Sequence, residues 1–243
     1  MNFPFISLII PCYNESMRVH LLYDGLDEFA AQWKGAWEAI IVDDGSKDDT
    51  ATRLKEHNTF SKYINHIHII SQSNKGKGGA LQKGIEHAKG NFVLTLDADM
   101  AARPIELLKW QERQNGFKEN ELLIASRELN ESIVDKIPHR KFIGNVFNFL
   151  IQSMTGLRLK DTQCGFKLYE TELAKNLFSK LQTKGWAHDV EILCKAQKKG
   201  IAIHSMPVRW KAIEGSKINV IKDSFKMFLE LLAIRQIIRR SDD

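Results

Sequence analysis

Two aspartates, Asp97 and Asp99, end the stretch Phe92-Val-Leu-Thr-Leu-Asp-Ala-Asp-Met100. The five residues before them are mostly apolar, as in a buried strand, and burying an unpaired carboxylate is costly. Two hard oxygen ligands with no histidine or cysteine beside them suit Mg²⁺ or Mn²⁺. Mg²⁺ completes such a shell with phosphates and water. The pair therefore points to a metal that bridges the protein to a diphosphate. A strand-end turn with a salt bridge is the alternative.

A second feature speaks to the same chemistry. Lys75-Gly76-Lys77-Gly78-Gly79 precedes a helical pattern. Small residues let the backbone approach a ligand closely, and a helix N-terminus favours anions. Neither GxxxxGK[ST] nor a GxGxxG after the first strand is present, which disfavours kinase and dehydrogenase readings.

The elements that must position these groups follow from the apolar pattern. Short, continuous, β-branched runs at 6–10, 39–42, 67–70, 92–96 and 122–125 read as strands covered on both faces. Helical patterns lie between them at 17–33, 50–58 and 79–88. This alternation predicts an α/β fold with a mostly parallel, doubly wound sheet flanked by helices. Ligands bind such sheets beyond the carboxyl ends of the strands. There the chain places Pro11-Cys12-Tyr13-Asn14-Glu15, Asp43-Asp44-Gly45-Ser46, the glycine-rich loop and the Asp97/Asp99 pair. In the second half, 133–157 reads as a helix with Ile143, Phe147, Leu150, Ile151 and Met154 on one side. A helix near 172–181 and a strand at 201–208 follow.

The 243 residues carry 43% hydrophobic and 27% charged residues and a net charge of +5, ordinary for a globular protein with an anionic partner. The basic residues form no aromatic-interleaved stripe, so a nucleic-acid partner is not expected. Three separated cysteines without CxxC argue against a disulfide framework or a zinc site. A reducing cytoplasm fits them. No run reaches the roughly 18 apolar residues of a membrane span, and the N-terminus lacks the basic flank of a signal peptide.

In this order, PCYNE, VDDGSKDDT, NKGKGGAL and LDAD resemble the inverting family 2 glycosyltransferases of the GT-A fold. DTQCGFKLY, WAHDVEIL and VRWKAIEGSKIN are similar to the polyprenyl-phosphate glycosyltransferases, with the dolichyl-phosphate β-glucosyltransferases nearest. The resemblance implies that Pro11, Tyr13, Asn14, Glu15 and Asp44 hold the nucleotide base and ribose of a nucleotide-sugar donor, UDP-glucose first. It places Lys77 and Gly78 in the same pocket and Asp97 near the ribose and sugar. Asp99 becomes the metal ligand, and Ser216 and Lys217 close over the diphosphate. Arg127 and Arg140 match positions that meet an acceptor phosphate. The mannose synthases can show a glutamine where this chain has Ala101, so part of the metal shell must come from elsewhere.

The resemblance implies hexose transfer to a polyprenyl or dolichyl phosphate. A glycan hydroxyl acceptor and a non-catalytic nucleotide-sugar-binding protein are the alternatives. A monophosphate is already anionic near neutral pH, its second pKa lying at about 6, and needs cations rather than a base. Asp161 and Asp189 are then candidates for orienting the arginines. With a hydroxyl acceptor, Asp189 becomes the general base. The domain expected is 1–218, with a nucleotide-sugar half (1–126) and an acceptor-facing half (127–218). A basic amphipathic helix, 219–243, follows. Its wide apolar arc and Lys222, Lys226, Arg239 and Arg240 suit a membrane surface, a peripheral position at the cytoplasmic membrane face, or burial against the domain or a homodimer partner.

Overall fold

A computed structural model describes residues 3–135, 148, 150–185, 187–213 and 230–234. Strands β1 (Ile6–Cys12), β2 (Trp37–Asp43), β3 (Ile67–Ser71) and β4 (Phe92–Thr95) alternate with helices α1 (Val19–Gln32), α2 (Thr50–Glu56), α3 (Asn58–Lys62) and α4 (Gly76–Glu86). Helix α5 (Glu106–Gln114) leads to β5 (Glu121–Ala125) and the two-residue β6 (Ile133–Val134). Residues 150–155 are helical and are labelled α6. Then come β7 (Lys167–Glu170), α7 (Thr171–Ser179), α8 (His188–Lys198), β8 (Ala202–Met206) and β9 (Arg209–Trp210).

Seven strands form one sheet in the order β3-β2-β1-β4-β7-β5-β8. All neighbours are parallel except β7, which runs antiparallel to both β4 and β5. The sheet is thus mostly parallel and runs through both halves of the chain. The order reverses between β1 and β4, the crevice where such sheets bind ligands.

Strand periodicity divides the core into two layers. Ile6, Leu8 and Ile10 of β1 face a cluster with Leu22, Leu26 and Phe29 of α1 and Trp110 of α5. Ile9 faces the other side, with Leu81 and Ile85 of α4, Leu177 of α7 and Ile192 of α8. Leu231 and Ile234, in the helical residues 230–234, are fully buried in this second layer. That part of the apolar arc expected within 219–240 packs on the domain. Leu232 is exposed; the arc residues beyond 230–234, with Arg140, Ser216 and Lys217, lie outside the described residues.

Two expectations fail. The helix expected at 133–157 begins as strand: Ile133 and Val134 pair with Arg209 and Trp210, and the Ile133 and Asp135 amides donate to the Val208 and Trp210 carbonyls. Apolar spacing cannot report a partner strand some 75 residues away; among the described residues, residue 148 and α6 keep the helical reading. Helix α4 begins at Gly76 rather than Gly79, because the Asp44 carboxylate accepts hydrogen bonds from the Lys75 and Gly76 amides, both at 2.8 Å. An anion at that end offsets the poor helix propensity of the glycines. No helix among the described residues is long and apolar enough to cross a membrane.

Candidate active site

Asp97 and Asp99 stand just past the end of β4, beside the carboxyl end of β1. Asp97 is ion-paired to Lys77 in the first turn of α4, with Nζ 2.5 Å from Oδ1. Burial opposes the Lys77 charge, yet Asp97, Asp189 and Asp99 outweigh it and hold the ammonium above its usual pKa. The Asp99 carboxylate accepts the Ala101 amide at 3.0 Å. Burial and the neighbouring Asp97 charge push the Asp99 carboxyl up. A divalent cation is what would lower it, so the donor set fits Mg²⁺ or Mn²⁺ on its chemistry. Among the described residues no third histidine, cysteine, aspartate or glutamate completes a cluster.

The loop after β1 is tied to the loop after β2. The Asn14 amide donates to Ser46 Oγ at 2.8 Å, and the Lys47 amide donates to Asn14 Oδ1 at 2.7 Å. Asn14 adopts φ +55°, a left-handed conformation that asparagine tolerates. Glu15 binds Arg18 through both oxygens at 2.6 and 2.7 Å, and the Arg18 charge in turn reaches Asp99. Tyr13 is 39% exposed at the rim, a surface on which a ligand ring could lie. Pro11 is half-buried in β1.

The structure gives two expected donor residues supporting contacts. Asp44 is buried, and besides the two α4 amides it accepts from Gln72 Nε2 at 2.7 Å. Its carboxylate fixes the glycine-rich loop. The Gly78 amide donates to the Lys184 carbonyl at 2.9 Å. A side chain at Gly78 would meet His188 Cβ at 2.8 Å. His188 is buried, and its Nδ1 donates to the Gly185 carbonyl at 2.7 Å.

The residues expected on the acceptor side separate into two pairs. Asp161 grips Arg127 at 2.7 Å (Nε) and 2.9 Å (Nη2) and also accepts the Arg127 amide at 3.0 Å. Burial works against both charges, but each outweighs it for the other: Arg127 is raised and Asp161 lowered. The Arg127 side chain is half-buried, 32% exposed. Its guanidinium lies 5.6 Å above the Trp210 ring, a cation–π contact. Asp189 meets no arginine among the described residues; it pairs instead with Lys167, with Nζ 2.6 Å from Oδ1. Burial would raise the Asp189 carboxyl, but His188, Lys167 and Lys77 pull it down to about 2. Lys167 thus occupies the carboxylate that is expected to act as the base if the acceptor is a hydroxyl.

Two residues that the strand-end reading passed over complete the arrangement. Gly165 packs directly on Asp97, where a Cβ would lie 2.5 Å from Oδ2. Its carbonyl accepts Thr95 Oγ1 at 2.8 Å. Lys167, the second, is 1% exposed in the middle of the sheet.

The sequence pattern of glycosyl transferase family 2 matches residues 7–178. The chain belongs to this family. It is therefore an enzyme that transfers a glycosyl group. Among curated relatives, the dolichyl-phosphate β-glucosyltransferase of Dictyostelium discoideum is 33% identical over 95% of this chain and 74% of its own length. Those of Saccharomyces cerevisiae and Homo sapiens are each 34% identical with the same coverage. Glucosyl-3-phosphoglycerate synthase from Mycobacterium tuberculosis, solved with Mn²⁺, UDP and glucosyl-3-phosphoglycerate, superposes with a TM-score of 0.69 at 18% identity, covering 96% of this chain and 80% of that one. That likeness establishes the GT-A fold.

Proposed function

We propose that this glycosyltransferase moves glucose from UDP-glucose to a polyprenyl phosphate such as dolichyl phosphate, with inversion at the anomeric carbon and with Mg²⁺ or Mn²⁺ bound. The observation that carries the reading is the strand-end constellation. The Asp97–Lys77 pair and Asp99 lie beside the Arg127–Asp161 pair, in which the carboxylate is buried and the guanidinium partly exposed, close enough for Asp97 to act on the Arg127 charge. The names of the curated relatives support the acceptor and the sugar. The M. tuberculosis enzyme solved with Mn²⁺ and UDP-glucose supports the donor and the metal.

The cation, when bound, supplies positive charge to the departing diphosphate, and Asp99 with Asp97 would hold it. Residues 1–126 bind the donor in this reading. The tied loops carrying Asn14 and Glu15 frame the nucleotide, Tyr13 offers its ring, and Lys77 adds a cation near the leaving group. Residues 127–218 face the acceptor. Asp161 occupies the Nε/Nη2 edge of Arg127, so the outer Nη edge is what remains to meet a phosphate oxygen. Ser216, Lys217 and Arg140 are assigned to diphosphate and acceptor on motif likeness. Because a polyprenyl chain stays in the bilayer, the enzyme works at a membrane surface, with the part of 219–240 outside the domain-packed 230–234 assigned to it.

The test is a panel of UDP- and GDP-sugars with a polyprenyl phosphate or a glycan acceptor, with Mg²⁺, Mn²⁺ or EDTA. Metal-dependent product from UDP-glucose and the lipid phosphate is expected. Turnover only with a glycan hydroxyl would overturn the acceptor assignment, and full rate in EDTA would overturn the metal.

A further inference from the structure

Transfer to a phosphate moves no proton. An acceptor oxygen that is already ionised forms the new bond to the anomeric carbon. The bond from that carbon to the diphosphate breaks, and UDP leaves with the electron pair. A hydroxyl acceptor differs by one proton, which must pass to a base as the bond forms. Asp161 is engaged through both oxygens by Arg127, and the strand-end pair is assigned to metal and donor. Behind that pair stands Asp189, in the first turn of α8, close enough to act on the Lys77 charge.

Lys167 blocks that role. It opens β7, between β4 and β5, at a 1% exposed position where an aliphatic residue is the usual occupant. Instead its ammonium donates to Asp189 Oδ1 at 2.6 Å and to the Cys164 carbonyl at 2.5 Å. The other groups facing this carboxylate are His188 of α8, with Nε2 3.5 Å from Oδ1, Lys77 of α4 and Tyr169 of β7. Three of these neighbours are basic, and Lys167 donates a hydrogen bond to the carboxylate. Burying a lysine beside a carboxylate in a core rarely raises stability over an apolar pair, so the pair invites a functional account.

Building on the proposed transfer reaction, we propose that Lys167 is a specificity-determining residue: by clamping Asp189 it withholds a base from the site and restricts the enzyme to acceptors whose oxygen is already anionic. Lys167 acts through Asp189 and touches no substrate. Hydroxyl acceptors, water included, are disfavoured for want of a proton acceptor, and this guards the donor from hydrolysis.

The experiment compares full-length wild type, K167R, K167M and K167M/D189L. Each is given UDP-glucose with a polyprenyl phosphate, with the corresponding polyprenol, or with water alone, and UDP release is followed. A general base contributes ~100-fold or more. Against phosphate transfer, K167M should therefore raise hydroxyl transfer or hydrolysis by at least ~10-fold. K167R should keep the wild-type ratio, and K167M/D189L, which removes the carboxylate as well, should return to it. A purely structural role lowers all three reactions together and leaves the ratio unchanged, which would overturn the proposal. Where K167M fails to fold, the double variant decides: folded protein that has lost phosphate transfer ~100-fold would make Asp189 itself catalytic and overturn it, while retained transfer supports it. A wild type that glucosylates the polyprenol and not the phosphate overturns the acceptor assignment instead. A phosphate-selective wild type with an unchanged K167M ratio overturns only the role of Lys167.

Discussion

Asp161 holds Arg127 by its amide, its Nε and its Nη2 at 3.0, 2.7 and 2.9 Å. The carboxylate thus sets both the backbone at the end of β5 and the plane of the guanidinium. D161N keeps the shape and removes the charge. Hydrogen bonds to charged groups contribute roughly 1.5–3 kcal/mol, so kcat/KM for the lipid phosphate should fall about 10- to 100-fold. UDP affinity by calorimetry should stay within about twofold, since a contact made only to the acceptor side does not enter donor binding. An equal loss of UDP binding would move Arg127 to the donor pocket.

Asp99 is held above its usual pKa by burial and by Asp97. The sign is that of a raised acid: its contribution to stability without metal declines as pH rises from the unfolded value toward the folded one. At pH 7 and in EDTA, D99N should be at least as stable as wild type by thermal melting. Adding Mn²⁺ with UDP should raise the wild-type Tm and leave that of D99N in place. Transfer by D99N should fall ~100-fold or more, the usual cost of losing this kind of electrostatic stabilisation. A metal-induced shift of equal size in both proteins would remove Asp99 from the metal site.

Gly165 has an ordinary backbone conformation, so alanine is locally permitted there, but the added Cβ would lie 2.5 Å from Asp97 Oδ2. G165A should fold, displace Asp97 from Lys77 and reduce transfer by ~100-fold. A crystal structure of the variant with Asp97 unmoved, or near-normal activity, would refute the close approach.

Asp161 and Asp189 lie below the unfolded value of about 3.9, Asp189 at about 2. Lowered acids stabilise the fold fully above the unfolded pKa, and that stability is lost as pH falls through the folded one. The urea midpoint should therefore drop between about pH 4 and pH 2. K167M/D189L, lacking one of the two acids, should show a shallower drop. Identical slopes would place the acid sensitivity elsewhere.

The first half was the more legible in sequence. Strands β1 to β5 announce themselves by β-branched runs whose burial on both faces leaves few competing readings. The acidic pair is conspicuous because carboxylates seldom end such a run. Lys167 was hidden for the opposite reason. A lysine in Phe-Lys-Leu-Tyr reads as a solvent-facing position, and only the placement of β7 between β4 and β5 buries it. The Asp161–Arg127 contact was within reach as a charge pairing, but its geometry depends on the loop entering β7. Asp44 shows what motif reasoning leaves out: the resemblance places it in the donor pocket, and the fold adds that its carboxylate holds the first amides of α4. The two-residue β6 and β9 carry too little pattern for any periodicity to detect.

The reversed direction of β7 has a consequence for how the protein resists misassembly. Thr95 and Lys167, neighbours across the β4–β7 ladder, are 72 residues apart in the chain. Until β7 docks, β4 and β5 each expose a bare ladder of amides and carbonyls, the kind of open border on which foreign strands add. Because β7 pairs antiparallel on both sides, a parallel intruder cannot reproduce its register with Leu94 and Leu123, both of which partner Leu168. The strand that brings Gly165 to Asp97 is therefore also the seam of the sheet. Substitutions that loosen it should lower solubility and turnover together, so aggregation in a β7 variant reports on the same docking event as its loss of rate.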